Sequence, residues 1–130
     1  MPQPGKILIV EDNDFVRMQI IRFLEGASYE IVEASDGRQA LDVVEAGEDI
    51  SLAIVDVRME PVDGFEFIRA LRGEDNRLPV ILVTGDQNSD LLSETTKLEI
   101  AAVLMKPVEK DRLLQVVAKT IEIHTRKSAQ

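Results

Sequence analysis

Short β-branched apolar runs alternate along this chain with segments whose apolar residues recur at spacings of three and four. The runs are KILIV (6–10), YEIVEA (29–34), SLAIVD (51–56), LPVILVT (78–84) and AAVLMK (101–106). Between them, Phe15, Met18, Ile21 and Leu24 mark a first helix, Ala40, Leu41 and Val44 a second, and Phe65, Ile68 and Leu71 a third. The fourth, around Ser89 to Lys97, has the weakest pattern, and Leu113, Leu114, Val117 and Ile121 mark the last. Runs one, three and four are apolar nearly throughout, as in a parallel sheet covered on both faces. The second alternates, which predicts an edge position.

Punctuation agrees with this parsing. Asp36 can cap the second helix and Gly47 end it; Asp63 can cap the third and Gly73 end it. Five strand–helix units in 130 residues predict an α/β fold, a doubly wound five-stranded parallel sheet with five helices. The expected organisation is one domain over residues 1–130, with a core of about 5–124 and a short C-terminal tail, 125–130.

Composition narrows the function classes. The net charge of −9 leaves no basic face for nucleic acid. A small basic group near the C-terminus (His124, Arg126, Lys127) is accounted for by the dipole at the end of a last helix. No apolar run reaches membrane-span length, and the opening MPQPGK offers no signal-peptide core. The absence of cysteine excludes disulfides and thiolate metal sites. A cytoplasmic protein without membrane or nucleic-acid contacts is the expectation.

In open α/β sheets, ligands gather at the carboxyl ends of the strands. Here strand 1 ends in Glu11, Asp12, Asn13 and Asp14, strand 3 in Asp56, strand 4 in Thr84, and strand 5 in Lys106 followed by Pro107. Each has an ordinary explanation alone: Asp12 or Asn13 can cap the first helix, Asp56 can be a solvated strand end, and Thr84 is a good strand residue. Together they place three carboxylates, a hydroxyl and an ammonium on one edge. Two carboxylates about 4 Å apart repel by about 4 kcal/mol at an effective dielectric of about 20. Hard oxygen donors without cysteine or a nearby histidine favour Mg²⁺ over Mn²⁺ or Ca²⁺. A carboxylate can attack phosphorus to form an aspartyl phosphate, and Asp56 stands centrally for that role.

These residues carry a family resemblance. ILIVEDN (7–13), AIVDVRMEPVDGFEFI (53–68), PVILVTG (79–85) and LMKPV (104–108) stand in the order and spacing of CheY-like response-regulator receiver domains, and the resemblance covers about residues 5–124. It implies a flavodoxin-like, CheY-like fold and a two-component switch. Asp56 would be the phosphoacceptor, Thr84 the switch hydroxyl, and Lys106 the partner of the phosphoryl group or of Asp56. Asp12 would bind Mg²⁺ directly, Glu11 would help through water, and Asp56 and the Arg58 backbone carbonyl would complete the protein ligands. The Lys106–Pro107 bond would be cis. The resemblance also implies a histidine kinase or phosphohistidine relay domain as donor, and a downstream effector protein or output domain as target. Such a domain promotes its own phosphoryl transfer and dephosphorylation rather than turning over an external substrate. Family members also dimerise or dock through the face of the fourth helix, fifth strand and fifth helix, so a weak homodimer is among the implied states. His124, the single histidine, lies far along the last helix, so the donor is expected in trans.

Three positions depart from the family pattern. The usual aromatic three residues before the lysine is Val103, which removes the ring-based half of the switch and leaves Thr84 and the region after strand 4. The family's Met-Pro is spread into MEP (59–61), with the spacing to Asp63-Gly64 kept, so a rearranged loop around an intact site is expected. Arg58 and Asp86 occupy the variable rim positions that tune dephosphorylation. A phosphorylation-independent pseudo-receiver that only binds proteins is the alternative; the complete set Glu11, Asp12, Asp56, Thr84 and Lys106 argues against it. An Asp-nucleophile phosphatase would carry a second acid where Arg58 stands, leaving the general acid without a candidate. The ending HTRKSAQ leaves open a stand-alone receiver or one piece of a longer regulator.

Overall fold

Alternation along the strands divides this molecule into two apolar layers. The structure, a computed structural model, describes residues 5–60, 62–85 and 89–128. Its elements are β1 (Lys6–Val10), α1 (Asp14–Glu25), β2 (Glu30–Ala34), α2 (Gly37–Glu45), β3 (Leu52–Asp56), α3 (Gly64–Gly73), β4 (Val80–Thr84), α4 (Ser89–Lys97), β5 (Ala102–Met105) and α5 (Lys110–Ser128). The strands form one parallel sheet in the order β2-β1-β3-β4-β5. This is the five-stranded doubly wound sheet with five helices that the pattern predicts, with β2 at an edge.

Successive strand side chains point to opposite faces. Leu8, Val10, Ala53, Val55, Val80 and Leu82 therefore pack on one side, with Ala40 of α2, Phe67, Ile68 and Leu71 of α3, and Leu98. Ile7, Ile9, Leu52, Ile54, Ile81, Val83 and Leu104 pack on the other, with Ile20, Ile21 and Leu24 of α1 and Leu113 and Val117 of α5. Each large apolar side chain buried this way contributes about 1.5–3 kcal/mol. Among the described residues, no helix is long and apolar enough to cross a membrane.

The first helix differs from its predicted stripe. Phe15 is 89% exposed and Met18 46%, while Ile20, Ile21 and Leu24 are buried. At 3.6 residues per turn, each step of three falls short of a full turn, so residues nine apart face opposite ways. Phe15 and Leu24 are such a pair. The buried stripe follows Val16, Ile20 and Leu24 at spacings of four, with Ile21 beside it. In α3 the same drift buries Phe67 and leaves Phe65 partly exposed.

Caps fix the helix starts. Asp36 Oδ1 accepts the Gln39 N–H at 2.9 Å, and Asp63 Oδ1 accepts that of Glu66 at 2.9 Å. Glu66 returns the contact to the Asp63 N–H at 3.4 Å, which closes a capping box. Gly47, at φ +85°, reverses the chain after α2 as predicted. Gly73 instead remains the last residue of α3, and Asp75, at φ +60°, makes the reversal.

Candidate functional site

Every strand of a parallel sheet ends on the same edge, and the buried polar groups collect there. Among the described residues, the buried polar or charged side chains are Glu11, Asp56 and Thr84, at 1%, 6% and 3% exposure. Glu11 extends β1 by one residue: its N–H donates to the Ala34 carbonyl at 3.1 Å. Asn13, not Asp12, caps α1, through its Oδ1 and the Val16 N–H at 3.0 Å. Asp12 is thus left exposed on the turn between the two. Asp56 closes β3 beside Val83, and Thr84 closes β4 beside Met105.

Lys106 ties these ends together. Its ammonium lies 3.1 Å from Asp56 Oδ1 and 3.1 Å from Glu11 Oε1. The Lys106 N–H donates to the Thr84 carbonyl at 2.9 Å, and the following bond to Pro107 is cis. Burial alone would lower the lysine's pKa, but its close contacts with the charged oxygens of Asp56 and Glu11 outweigh it and raise the value.

Glu11 is held less completely. Its Oε2 accepts the Asn13 N–H at 3.1 Å. Its Oε1 has the lysine near but no aligned hydrogen bond, although it is fully buried. Burial, with the Asp56 charge adding to it, pushes the Glu11 carboxyl up to about 7, against the opposing pull of the Asn13 N–H and Lys106. A desolvated carboxylate oxygen whose near partner is an ammonium out of hydrogen-bond alignment, beside a second carboxylate, is a place for a cation. Glu11, Asp12 and Asp56 each present an oxygen within 4.8 Å of the others. Hard oxygen donors of this kind fit Mg²⁺.

The raised Glu11 value has a measurable consequence. Between the ordinary carboxyl value of 4.5 and about 7, the folded protein holds a proton that the unfolded chain releases. That stability is fully present below the lower value and is lost as pH rises through the upper one. The slope is at most about 1.4 kcal/mol per pH unit. Urea midpoints without divalent ions should therefore fall from pH 5 to pH 8, and Glu11→Gln should flatten the fall. Parallel profiles for the two proteins would remove Glu11 as the cause.

Arg58 is exposed and lines an open cleft of about 670 Å³ with Asp12, Val57, Met59, Glu60 and Asp63. In the MEP stretch, Met59 turns into the core while Glu60 stays exposed; Pro61 lies outside the described residues. Asp86 lies outside them as well. Val103 is partly buried against the α3 layer and pairs with Leu82. His124 lines a separate groove of about 570 Å³ with Arg72, Arg77, Pro79 and Thr120. Pro79 precedes β4, so that groove lies at the opposite end of the sheet from Thr84.

Two contacts that shape the site escape sequence reasoning. Gly64 packs directly on the Asp56 backbone, and Arg17 reaches the Glu11 carbonyl. The clue to Arg17 in the sequence is only its spacing of three from Asp14 on one helix.

The response regulator receiver domain model matches residues 7–118. The sensor kinase/phosphatase CqsS of Vibrio cholerae is 33% identical over 87% of this chain, which spans 17% of that protein. The transcriptional regulatory protein DctD of Pseudomonas aeruginosa is 30% identical over 91% of the chain, which spans 25% of its length. Sporulation initiation phosphotransferase F of Bacillus subtilis is 28% identical, with 91% of this chain and 94% of the relative covered. Among solved structures, the chemotaxis protein CheY4 of Vibrio cholerae matches with a TM-score of 0.83 at 28% identity, covering 90% of this chain and 98% of CheY4.

Proposed function

The chain belongs to the response-regulator receiver family, and from that premise we propose that Asp56 is its phosphoacceptor, served by Mg²⁺ on Glu11, Asp12 and Asp56 and the Arg58 backbone carbonyl. The observation that carries this reading is the shared ammonium, with Lys106, just after β5, 3.1 Å from both Glu11 after β1 and Asp56 at the end of β3. When bound, Mg²⁺ would supply positive charge to the phosphoryl oxygens. An Asp56 carboxylate oxygen attacks phosphorus, the bond from phosphorus to the donor's imidazole nitrogen breaks, and that nitrogen keeps the electron pair. Lys106 gives charge to the transferring oxygens, and the Thr84 hydroxyl donates to one of them once the acyl phosphate forms.

Receiver domains accept the phosphoryl group from histidine kinases or phosphohistidine relay domains, and we assign this chain a donor of that kind, in trans and in the cytoplasm. The target is an effector protein or output domain, met through the face of α4, β5 and α5, with a weak homodimer through that face as one form of output. Val103 in place of a ring leaves the Thr84 hydroxyl and the segment after β4 to carry the switch. The protein is a phosphoacceptor rather than a turnover enzyme.

Treatment with acetyl phosphate tests the reading. Mass spectrometry should find one phosphoryl group per chain, on the peptide holding Asp56, only when Mg²⁺ is present. Sizing of the beryllofluoride-treated protein reads the oligomeric response. No covalent label in Mg²⁺, or a label on another residue, would overturn Asp56 as acceptor and favour a phosphorylation-independent binding module.

A further inference from the structure

We propose that Arg17 is a positioning residue for Asp12, acting by locking the peptide plane that joins Glu11 to Asp12. The inference rests on the reading of Glu11, Asp12 and Asp56 as the cation site.

The guanidinium spends its donors on three elements at once. Nη1 donates to the Glu11 carbonyl at 2.7 Å, Nε to Glu33 Oε1 on β2 at 3.0 Å, and Nη2 to Asp14 Oδ1 in the first turn of α1 at 2.6 Å. The Arg17 side chain is only 15% exposed, whereas Asp14 and Glu33 are 83% and 52% exposed. Ion pairs with such exposed carboxylates contribute little to stability. What they do is orient the fork. The contact with consequence is the carbonyl, a short charge-assisted bond to the peptide that precedes Asp12.

That peptide is where the loop is otherwise free to turn. The Glu11 N–H is fixed on Ala34, and the Glu11 side chain meets Lys106 and the Asn13 N–H. Asn13 is fixed as the cap of α1. The peptide between Glu11 and Asp12 is rigid as a unit, but it can rotate about its flanking torsions. Rotation would re-aim the Asp12 side chain away from the other two carboxylates. A bond to the Glu11 carbonyl resists that rotation. Only a planar fork can hold three acceptors on three elements together; a lysine ammonium is a point charge without that geometry.

Charge and position make opposite predictions. As a nearby cation, Arg17 repels Mg²⁺, so its removal would tighten binding. As a positioning residue it favours Mg²⁺, so its removal would weaken binding. The probe is Mg²⁺ alone, titrated into the full chain by calorimetry at a temperature where thermal melts show each variant folded. We expect Arg17→Ala and Arg17→Lys each to weaken Mg²⁺ binding about 10-fold, the lower end of what outer residues contribute at metal sites. Glu33→Gln, which removes the charge of an exposed partner but keeps an oxygen for Nε to donate to, should stay close to the parent protein. If Arg17→Ala does not fold, Arg17→Lys decides. Asp12→Asn separates the two levels. Should Asp12→Asn bind like the parent, or the parent not bind at all, the cation-site reading fails and the inference with it. Should Asp12→Asn lose binding while the Arg17 variants bind as well as the parent or better, Arg17 alone is overturned, even if those variants melt earlier.

Discussion

Gly64→Val should cost the domain about 3 kcal/mol or more, the upper range for overpacking a filled interior. The cause is the close approach between the start of α3 and the end of β3. A Cβ on Gly64 would collide with the Asp56 carbonyl oxygen and stand 3.0 Å from Val55 Cγ1. The Gly64 N–H also donates to the Val57 carbonyl at 2.9 Å, so the helix start is tied to the strand it would have to leave. Moving α3 outward would pull Phe67 and Ile68, both fully buried, off the sheet. Against a typical domain stability of about 5–15 kcal/mol, a loss of this size is a large fraction. Even Gly64→Ala places the clashing atom, so it too should destabilise. Gly26→Ala is the control: a Cβ there meets nothing within 4 Å, and the backbone at φ −67° suits alanine. Denaturant midpoints should fall sharply for both Gly64 variants and stay level or rise slightly for Gly26→Ala. A Gly64→Val midpoint near that of the parent protein would show that α3 can shift away from Asp56 at little cost.

Gly64 also marks the boundary of what could be read without coordinates. The strands were legible because burial on both faces leaves an unbroken apolar run, and KILIV coincides with β1 residue for residue. The edge position of β2 followed from its alternation. Once the sheet was known to be parallel, the meeting of Glu11, Asp56, Thr84 and Lys106 followed from geometry, since parallel strands share one carboxyl edge. Helix faces were less legible. Three-residue steps such as Phe15, Met18, Ile21 and Leu24 look like a stripe on paper but wind around the helix, and only packing against the sheet and α5 selects Ile20, Ile21 and Leu24. Individual hydrogen-bond partners did not follow from that geometry. Nothing local announces that Arg17 meets Glu33, or that one oxygen of Glu11 is buried without an aligned donor.

That last feature sets the expectation for Lys106→Met, a variant that keeps length and removes charge. Phosphoryl transfer from acetyl phosphate should slow by on the order of 100-fold, the loss typical when one preorganised electrostatic contact to a reacting oxygen is removed. Mg²⁺ affinity should move the other way. In the parent protein the ammonium, 3.1 Å from both Glu11 and Asp56, competes with a metal for the same two carboxylates. Without it the carboxylates face each other uncompensated, and a divalent cation gains what the lysine gave up. The metal-free variant should be less stable at neutral pH, by less than the cost of breaking a fully buried pair, because the Lys106 side chain is 28% exposed. The Glu11 carboxyl, raised already by burial, should rise further, so metal-free stability should keep falling to higher pH than in the parent protein. Slower labelling with tighter Mg²⁺ binding is a combination that general unfolding cannot produce, since unfolding weakens both. Labelling at the parent rate would remove Lys106 from the transfer step, and unchanged Mg²⁺ affinity would show that the ammonium does not compete for the metal's oxygens.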